Sequence, residues 1–111
     1  MSSTIKFNYE NKDYVLEFNR NSIKTMEKQG FNLESFTEQP MTMVEIAFEG
    51  AFLKNHSNIT KAKVEEIYGL FKNKKALIQQ LIVMIQETYS ALFDDDENGE
   101  DESKKIDWKI G

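Results

Sequence analysis

Apolar and polar positions alternate in the first stretch of the chain and recur every three or four residues in most of the remainder. In "TIKFNYENKDYVLEFN", Ile5, Phe7 and Tyr9 alternate with Lys6 and Asn8, and Tyr14, Leu16 and Phe18 alternate with Val15 and Glu17. Successive side chains on a strand point to opposite faces, so each set puts three apolar groups on one face. "ENKD" between them carries turn chemistry, without a two-residue Asn-Gly loop. The pattern predicts a β-hairpin over 4–18. A lone hairpin is marginal in water, so its apolar face is expected to rest on helices through Phe7, Tyr9, Leu16 and Phe18.

Four helices are predicted after it. In "NRNSIKTMEKQGF", Asn21 or Ser22 can cap a helix over about 21–29, Ile23 and Met26 share a face, and Gly30 is a stop. A loop with Phe31, Leu33 and Phe36 follows. "MTMVEIAFEGAFLKN" predicts a helix over about 41–54, with Thr42 and Glu45 at capping-box spacing. One stripe holds Val44, Phe48, Ala51 and Phe52, and a second holds Ile46, Gly50 and Leu53. Thr60 caps a helix over about 60–72, where Val64, Ile67, Tyr68 and Phe71 stand at i, i+3, i+4 and i+7. The last helix, over 75–93, carries Ile78, Ile82, Ile85, Tyr89 and Leu92 in one stripe, with Leu77, Leu81 and Met84 beside it. At "LIVMI", 81–85, it is apolar all round, so it is either central to the domain or covered by a partner. The expected class is therefore α+β, mainly helical: one domain over 1–93, with a hairpin packed on about four helices.

Charge divides the chain at residue 93. Residues 1–93 hold eleven acidic and eleven basic side chains, and residues 94–111 hold eight acidic and three basic, the whole of the net −5. Such a segment has too little apolar surface to offset ordering entropy, so 94–111 is expected to be a disordered acidic tail. Its exception is "IDWKIG", with the only tryptophan, Trp108, between two isoleucines. Without cysteine there is neither a disulfide framework nor a thiolate metal site. The N-terminus lacks the apolar run of a signal peptide, and "LIVMI" is far short of the roughly 20 residues that span a bilayer, so no membrane partner is expected.

The tail contains a partial calcium loop. In "DDDENGEDESKK", Asp94, Asp96, Asn98 and Gly99 occupy positions one, three, five and six of the EF-hand pattern. Position twelve is Lys105 where a bidentate glutamate is needed, and position eight is Asp101 where an apolar residue is usual. No calcium site is expected. His56, the only histidine, reads as a surface loop residue and cannot build a zinc site alone. "NHS" and "NIT" match the glycosylation pattern but are better explained as the approach to a helix cap. There is no phosphate-binding glycine loop, and an acidic chain with one arginine is a poor ligand for nucleic acid. Glu65 and Glu66 are adjacent on a helix and so diverge. No convergent acid–base or nucleophile set is visible. A non-enzymatic binding protein without cofactor is expected. Methionine and aromatic residues are read chiefly as core, with some serving as an adaptable binding surface. The candidate partner-binding residues are Phe48, Phe52, Leu81, Met84, Ile85 and Trp108, and the surplus apolar face predicts a weak homo-oligomer.

The chain resembles the tail assembly chaperones of long-tailed, siphophage-type bacteriophages and prophages of Gram-positive hosts. The resemblance covers 5–93 and rests on Leu16 and Phe18 in the strand, Ile23, Met26, Glu27 and Gly30 in the first helix, and the "NITKAKVEEIY" helix start. It implies a non-catalytic protein of the host cytoplasm that coats the tape-measure protein, recruits tail-tube subunits, and is absent from the mature virion. It also implies a longer form made by ribosomal frameshifting, for which the Lys104-Lys105 pair is the expected site. The alternative, from another class, is a small acidic regulator or inhibitor that mimics nucleic acid through its acidic surface.

Overall fold

A computed structural model describes residues 3–93 and 109–110. The protein is α+β and mainly helical. A two-stranded antiparallel hairpin, β1 (Ile5–Tyr9) and β2 (Lys12–Leu16), precedes four helices: α1 (Arg20–Lys28), α2 (Pro40–Ala51), α3 (Lys61–Leu70) and α4 (Lys74–Phe93). A short 3₁₀ turn, Leu33–Phe36, fills the α1–α2 connection, where sequence predicted only a loop. The expected acidic tail apart from 109–110, the calcium-loop pattern, Lys104-Lys105 and Trp108 lie outside the described residues.

The hairpin closes through a two-residue turn after all. Tyr9 pairs with Lys12, and the two residues between them, Glu10 and Asn11, both have positive φ, 53° and 62°. Positive φ at both positions matches the twist of the strands, and asparagine tolerates it without glycine. Phe7 lies opposite Tyr14, and their rings stack at 5.0 Å. This pair meets helix side chains edge-on: Phe71 lies 4.9 Å from Phe7, and Phe52 6.0 Å from Tyr14. The strand exit is pinned to the end of α2 by the Glu17 N–H donating to the Ala51 carbonyl at 3.1 Å.

Helix ends follow local chemistry, with two corrections. Asn19, not Asn21 or Ser22, caps α1. Its side chain accepts from the Ser22 N–H, and the Ser22 hydroxyl accepts from the Asn19 N–H, a reciprocal capping box. The α2 start uses no side-chain cap: Pro40 stands at the first helical position, where its missing N–H costs nothing, so Thr42 and Glu45 are not a box. Two ends match expectation. Gly30, at φ +100°, ends α1 in a Schellman turn, with the Phe31 N–H donating to the Met26 carbonyl and the Gly30 N–H to the Glu27 carbonyl. Thr60 caps α3 by accepting from the Lys63 N–H.

The core joins the inner face of the hairpin to all four helices. α1 lies close on α2: a Cβ placed on Gly50 would stand 2.5 Å from both Cγ and Sδ of the fully buried Met26. The buried row of α4 is Leu77, Leu81, Met84, Ile85 and Thr88. Of the stripe expected to lead, Ile78, Ile82, Ile85, Tyr89 and Leu92, Ile85 is buried and the others are half-buried or exposed. Hydrogen bonds tie the C-terminal part of α4 to other elements. Ser3 donates from its N–H and hydroxyl to the Glu87 carboxylate, and the Tyr89 hydroxyl donates to Glu27 at 2.7 Å. No helix of the described residues is long and apolar enough to cross a membrane.

Candidate functional site

Two of the helices do not close on each other along their whole length. α2 and α3 bound an open groove of about 660 Å³. Its α2 wall carries Met41, Val44, Ile46 and Phe48, and its α3 wall Val64 and Tyr68, with Ile78 of α4 also contributing. On α3 the lining residues Lys61, Val64, Glu65 and Tyr68 stand at i, i+3, i+4 and i+7, one face of the helix. Val44, Phe48 and Val64 are buried, whereas Ile46, Tyr68 and Ile78 are half-buried. Met41 is 83 % exposed. It continues the buried row of Val44 and Phe48 one turn toward the helix N-terminus, where no helix of the described residues covers it. Glu45, Glu49 and Glu65 against Lys61 make the lining net negative. A second depression, of about 520 Å³, is bounded by Glu27, Asn32 and Glu34 beside Phe31, Leu33 and Tyr89. Its lining is more polar, and it offers an apolar ligand less.

The residues expected to bind partners are placed differently. Phe48, Phe52, Leu81, Met84 and Ile85 are all at most 2 % exposed and belong to the core. This corrects the expectation that they form a surface: the all-apolar stretch 81–85 is central to the domain, and only Val83 in it is exposed. Phe48 alone reaches the groove lining, from beneath. Trp108 lies outside the described residues. Met41, Ile46 and Tyr68 were not among the expected binding residues. The available signal was an apolar stripe that starts at Met41, one turn before the helix has a core to pack on.

His56 is also corrected. It is half-buried, and its Nε2 accepts from the Val15 N–H at 3.0 Å, while its ring lies 5.0 Å from Tyr14. Burial first, and then the positive charge of Lys12, hold its pKa below the ordinary histidine value. The side chain is a backbone fastener between strand and loop. A polar cluster holds the hairpin tip to the other side of α3. Lys63 Nζ lies 3.0 Å from Glu10 and 3.2 Å from Glu66, and the Tyr9 hydroxyl donates to Glu66. The Tyr9 bond, and then Lys63, lower the Glu66 pKa, and the same bond raises that of Tyr9. Hydrogen bonds from Lys63 to the two carboxylates raise its own. These groups are spent on one another at the surface, and the arrangement positions α3. Among the described residues, no group of three or more histidine, cysteine or carboxylate side chains could hold a metal ion.

The match to one known family runs over residues 1–111, the whole chain. The chain belongs to the DUF5055 family, described as a domain of unknown function. Neither the curated proteins nor the solved structures gave a significant match. In this DUF5055 chain the α2–α3 groove is the larger of the two depressions described. It is an apolar trough, open along one side, with carboxylates on its rim.

Proposed function

We propose that the protein is a tail assembly chaperone of a long-tailed bacteriophage or prophage. In this role it works in the cytoplasm of a Gram-positive host, binds the tape-measure protein, and brings tail-tube subunits to it before the tube forms. The observation that carries this is the open α2–α3 groove, with Met41 bare at its mouth and Ile46 and Tyr68 along its walls. The sequence resemblance over 5–93 supports the same role. An amphipathic helix lays one apolar face into a groove of this kind, and methionine at the mouth repacks around differing side chains. Burial of one such side chain is worth only about 1.5–3 kcal/mol, so each contact is weak. Weak, repeated contacts shield a long helical client and still give way when tube subunits displace them, leaving the chaperone out of the virion. Self-association along the client, as a weak homo-oligomer, would add avidity.

The test is co-purification with the tape-measure protein encoded nearby, followed by titration calorimetry. Met41→Glu is expected to weaken the complex about tenfold, which corresponds to ~1.4 kcal/mol. A complex that forms equally well with Met41→Glu, or no complex at all, would sink the proposal. The concentration of net charge in 94–111 favours the second reading, an acidic regulator of the nucleic-acid-mimic type. Deleting 94–111 distinguishes the two: a mimic loses its activity, and a groove-based chaperone keeps its client. The implied longer form requires a slippery heptamer at the Lys104-Lys105 codons and an open shifted frame beyond them, and reading the gene decides it.

A further inference from the structure

Carboxylates elsewhere on the molecule fasten one part of the fold to another: Glu10 to Lys63, Glu17 to Lys54, Glu27 to Tyr89, Glu66 to Tyr9 and Glu87 to Ser3. The carboxylates that line the α2–α3 groove do not. Glu45, Glu49 and Glu65 form no ion pair or side-chain hydrogen bond among the described residues. Lys61 stands one turn from Glu65 on α3 and is not paired with it. The lining thus holds three carboxylates against one ammonium, a net −2, around Met41, Ile46 and Tyr68. We propose that the groove takes a basic amphipathic helix of another protein, whose apolar side chains are flanked by lysine or arginine. This rests on the groove being the client site and adds what a client must present to it.

Backbone chemistry, length and charge each narrow the occupant. The walls are helices, whose N–H and C=O groups are used within α2 and α3. An extended segment laid between them would leave its own backbone groups unmet, whereas a helix satisfies them internally. The wall from Met41 to Glu49 is about 12 Å long and the wall from Lys61 to Tyr68 about 10 Å. Each is about two turns, enough to meet apolar side chains at i, i+3, i+4 and i+7 of a partner. Glu45 and Glu49, one turn apart on α2, face Glu65 across the trough, so positive flanks are attracted on both sides. Glu45 and Glu65 are exposed and Glu49 is half-buried. Charges that stay in water select a partner and speed its approach more than they tighten the complex. A second copy of this chain meets the requirement poorly. α1 presents Arg20, Lys24 and Lys28 as an exposed stripe, with no large exposed apolar side chain beside them. The exposed pair Leu92 and Phe93 leads straight into Asp94, Asp95 and Asp96, which the groove glutamates repel.

Two synthetic helical peptides test this. They share one face of leucines at i, i+3, i+4 and i+7 and differ only in the flanking residues, lysine in one and glutamate in the other. Each carries a fluorescein label, and anisotropy follows its binding to the full chain. At low salt the lysine peptide is expected to bind about tenfold tighter, because each exposed ion pair changes affinity about 1.5- to 5-fold and three act together. The preference should shrink as salt shortens the screening length, from about 30 Å at 0.01 M to about 3 Å at 1 M. The triple variant Glu45→Gln, Glu49→Gln, Glu65→Gln keeps side-chain shape and should lower the lysine peptide's affinity about tenfold. Met41→Ser should weaken both peptides about tenfold through the apolar contact. Far-UV circular dichroism checks that both variants keep their helices. Equal binding of the two peptides, or no binding of either, overturns the proposal. A lysine peptide indifferent to the triple variant also overturns it, because its charges would then be meeting the acidic residues of 94–111. So does peptide binding that is lost as protein concentration rises, since a second copy would then fill the groove. The chaperone reading fails on a separate observation, the absence of a complex with the tape-measure protein, and the peptide preference is measured independently of it.

Discussion

Replacing Gly50 by alanine tests how tightly α1 and α2 are seated. Two effects oppose each other. Alanine in place of glycine inside a helix gains about 0.5–1 kcal/mol, since the unfolded chain has less freedom to lose. Against this, the new methyl would stand 2.5 Å from Cγ and Sδ of Met26. Met26 is 0 % exposed, so its side chain has no solvent to swing into, and the clash falls on its middle atoms rather than its tip. Overpacking of a filled core costs typically 1–3 kcal/mol. The packing effect wins, and the net expectation is a loss of roughly 0.5–2 kcal/mol. For a domain of this size that lowers the melting temperature by about 3–10 °C. Urea unfolding followed by far-UV circular dichroism reads it as a lower midpoint at unchanged slope. A double-mutant cycle isolates the cause. Met26→Ala alone opens a cavity and costs about 2–5 kcal/mol, but with Gly50→Ala the added methyl fills part of that cavity. The pair should be coupled favourably by at least ~0.5 kcal/mol. If Gly50→Ala is as stable as the parent, or the two changes simply add, the close approach of the helices is not what selects glycine here.

His56 has a depressed pKa in the folded state, so the unfolded chain binds the proton first. Its contribution is fully present above the unfolded value near 6.5 and declines as pH falls toward the folded value, with a slope of at most ~1.4 kcal/mol per pH unit. His56→Gln, which can still accept from Val15, should flatten the stability profile between pH 7 and 5, as read by urea midpoints. Tyr89 is pushed up to about 12, first by burial and then by its bond to Glu27. Its stabilisation holds below pH 10 and is lost as pH rises through 12, so Tyr89→Phe should show a shallower alkaline decline than the parent in thermal melts. Asn11→Gly should stabilise the chain by a few tenths to about 1 kcal/mol, because the turn requires positive φ at that position; a destabilised variant by the same urea assay would contradict the turn assignment.

The hairpin and the four helices were legible because their periods, two and three to four, are set by which side chains must be buried together. Gly30 and Thr60 marked their helix ends because each does one local job, a left-handed turn and an N-cap. The phase of α4 was not legible. Residues 81–85 are apolar on every side, so two stripes one residue apart compete, and only packing against the rest of the core chose Leu77, Leu81 and Met84 over Ile78 and Ile82. That same choice buried Leu81 and Met84, two of the residues expected to form a surface. His56 was misplaced because a side-chain bond to a strand forty-one residues away leaves no trace in its polar neighbours. Asn19 does not stand out in the sequence, because Asn19, Asn21 and Ser22 follow the strand closely and each could cap. The groove was missed because it arises from a stripe that outruns its core, and the length of a core is a property of the assembled fold.

The order of the chain has a consequence for its synthesis. β1 is made before the rings that cover Phe7, which come from Tyr14, Phe52 and Phe71. The anchor for Ser3 is Glu87, eighty-four residues on. At roughly 5–20 residues per second, the wait from Phe7 to Phe71 is on the order of 3–13 s. Until Phe71 is made, the cover over this aromatic strand is incomplete. Two strands alone are marginal in water, so the hairpin waits on helices that are made after it. Translation that stops short of residue 71 therefore releases a sticky fragment rather than a smaller folded protein.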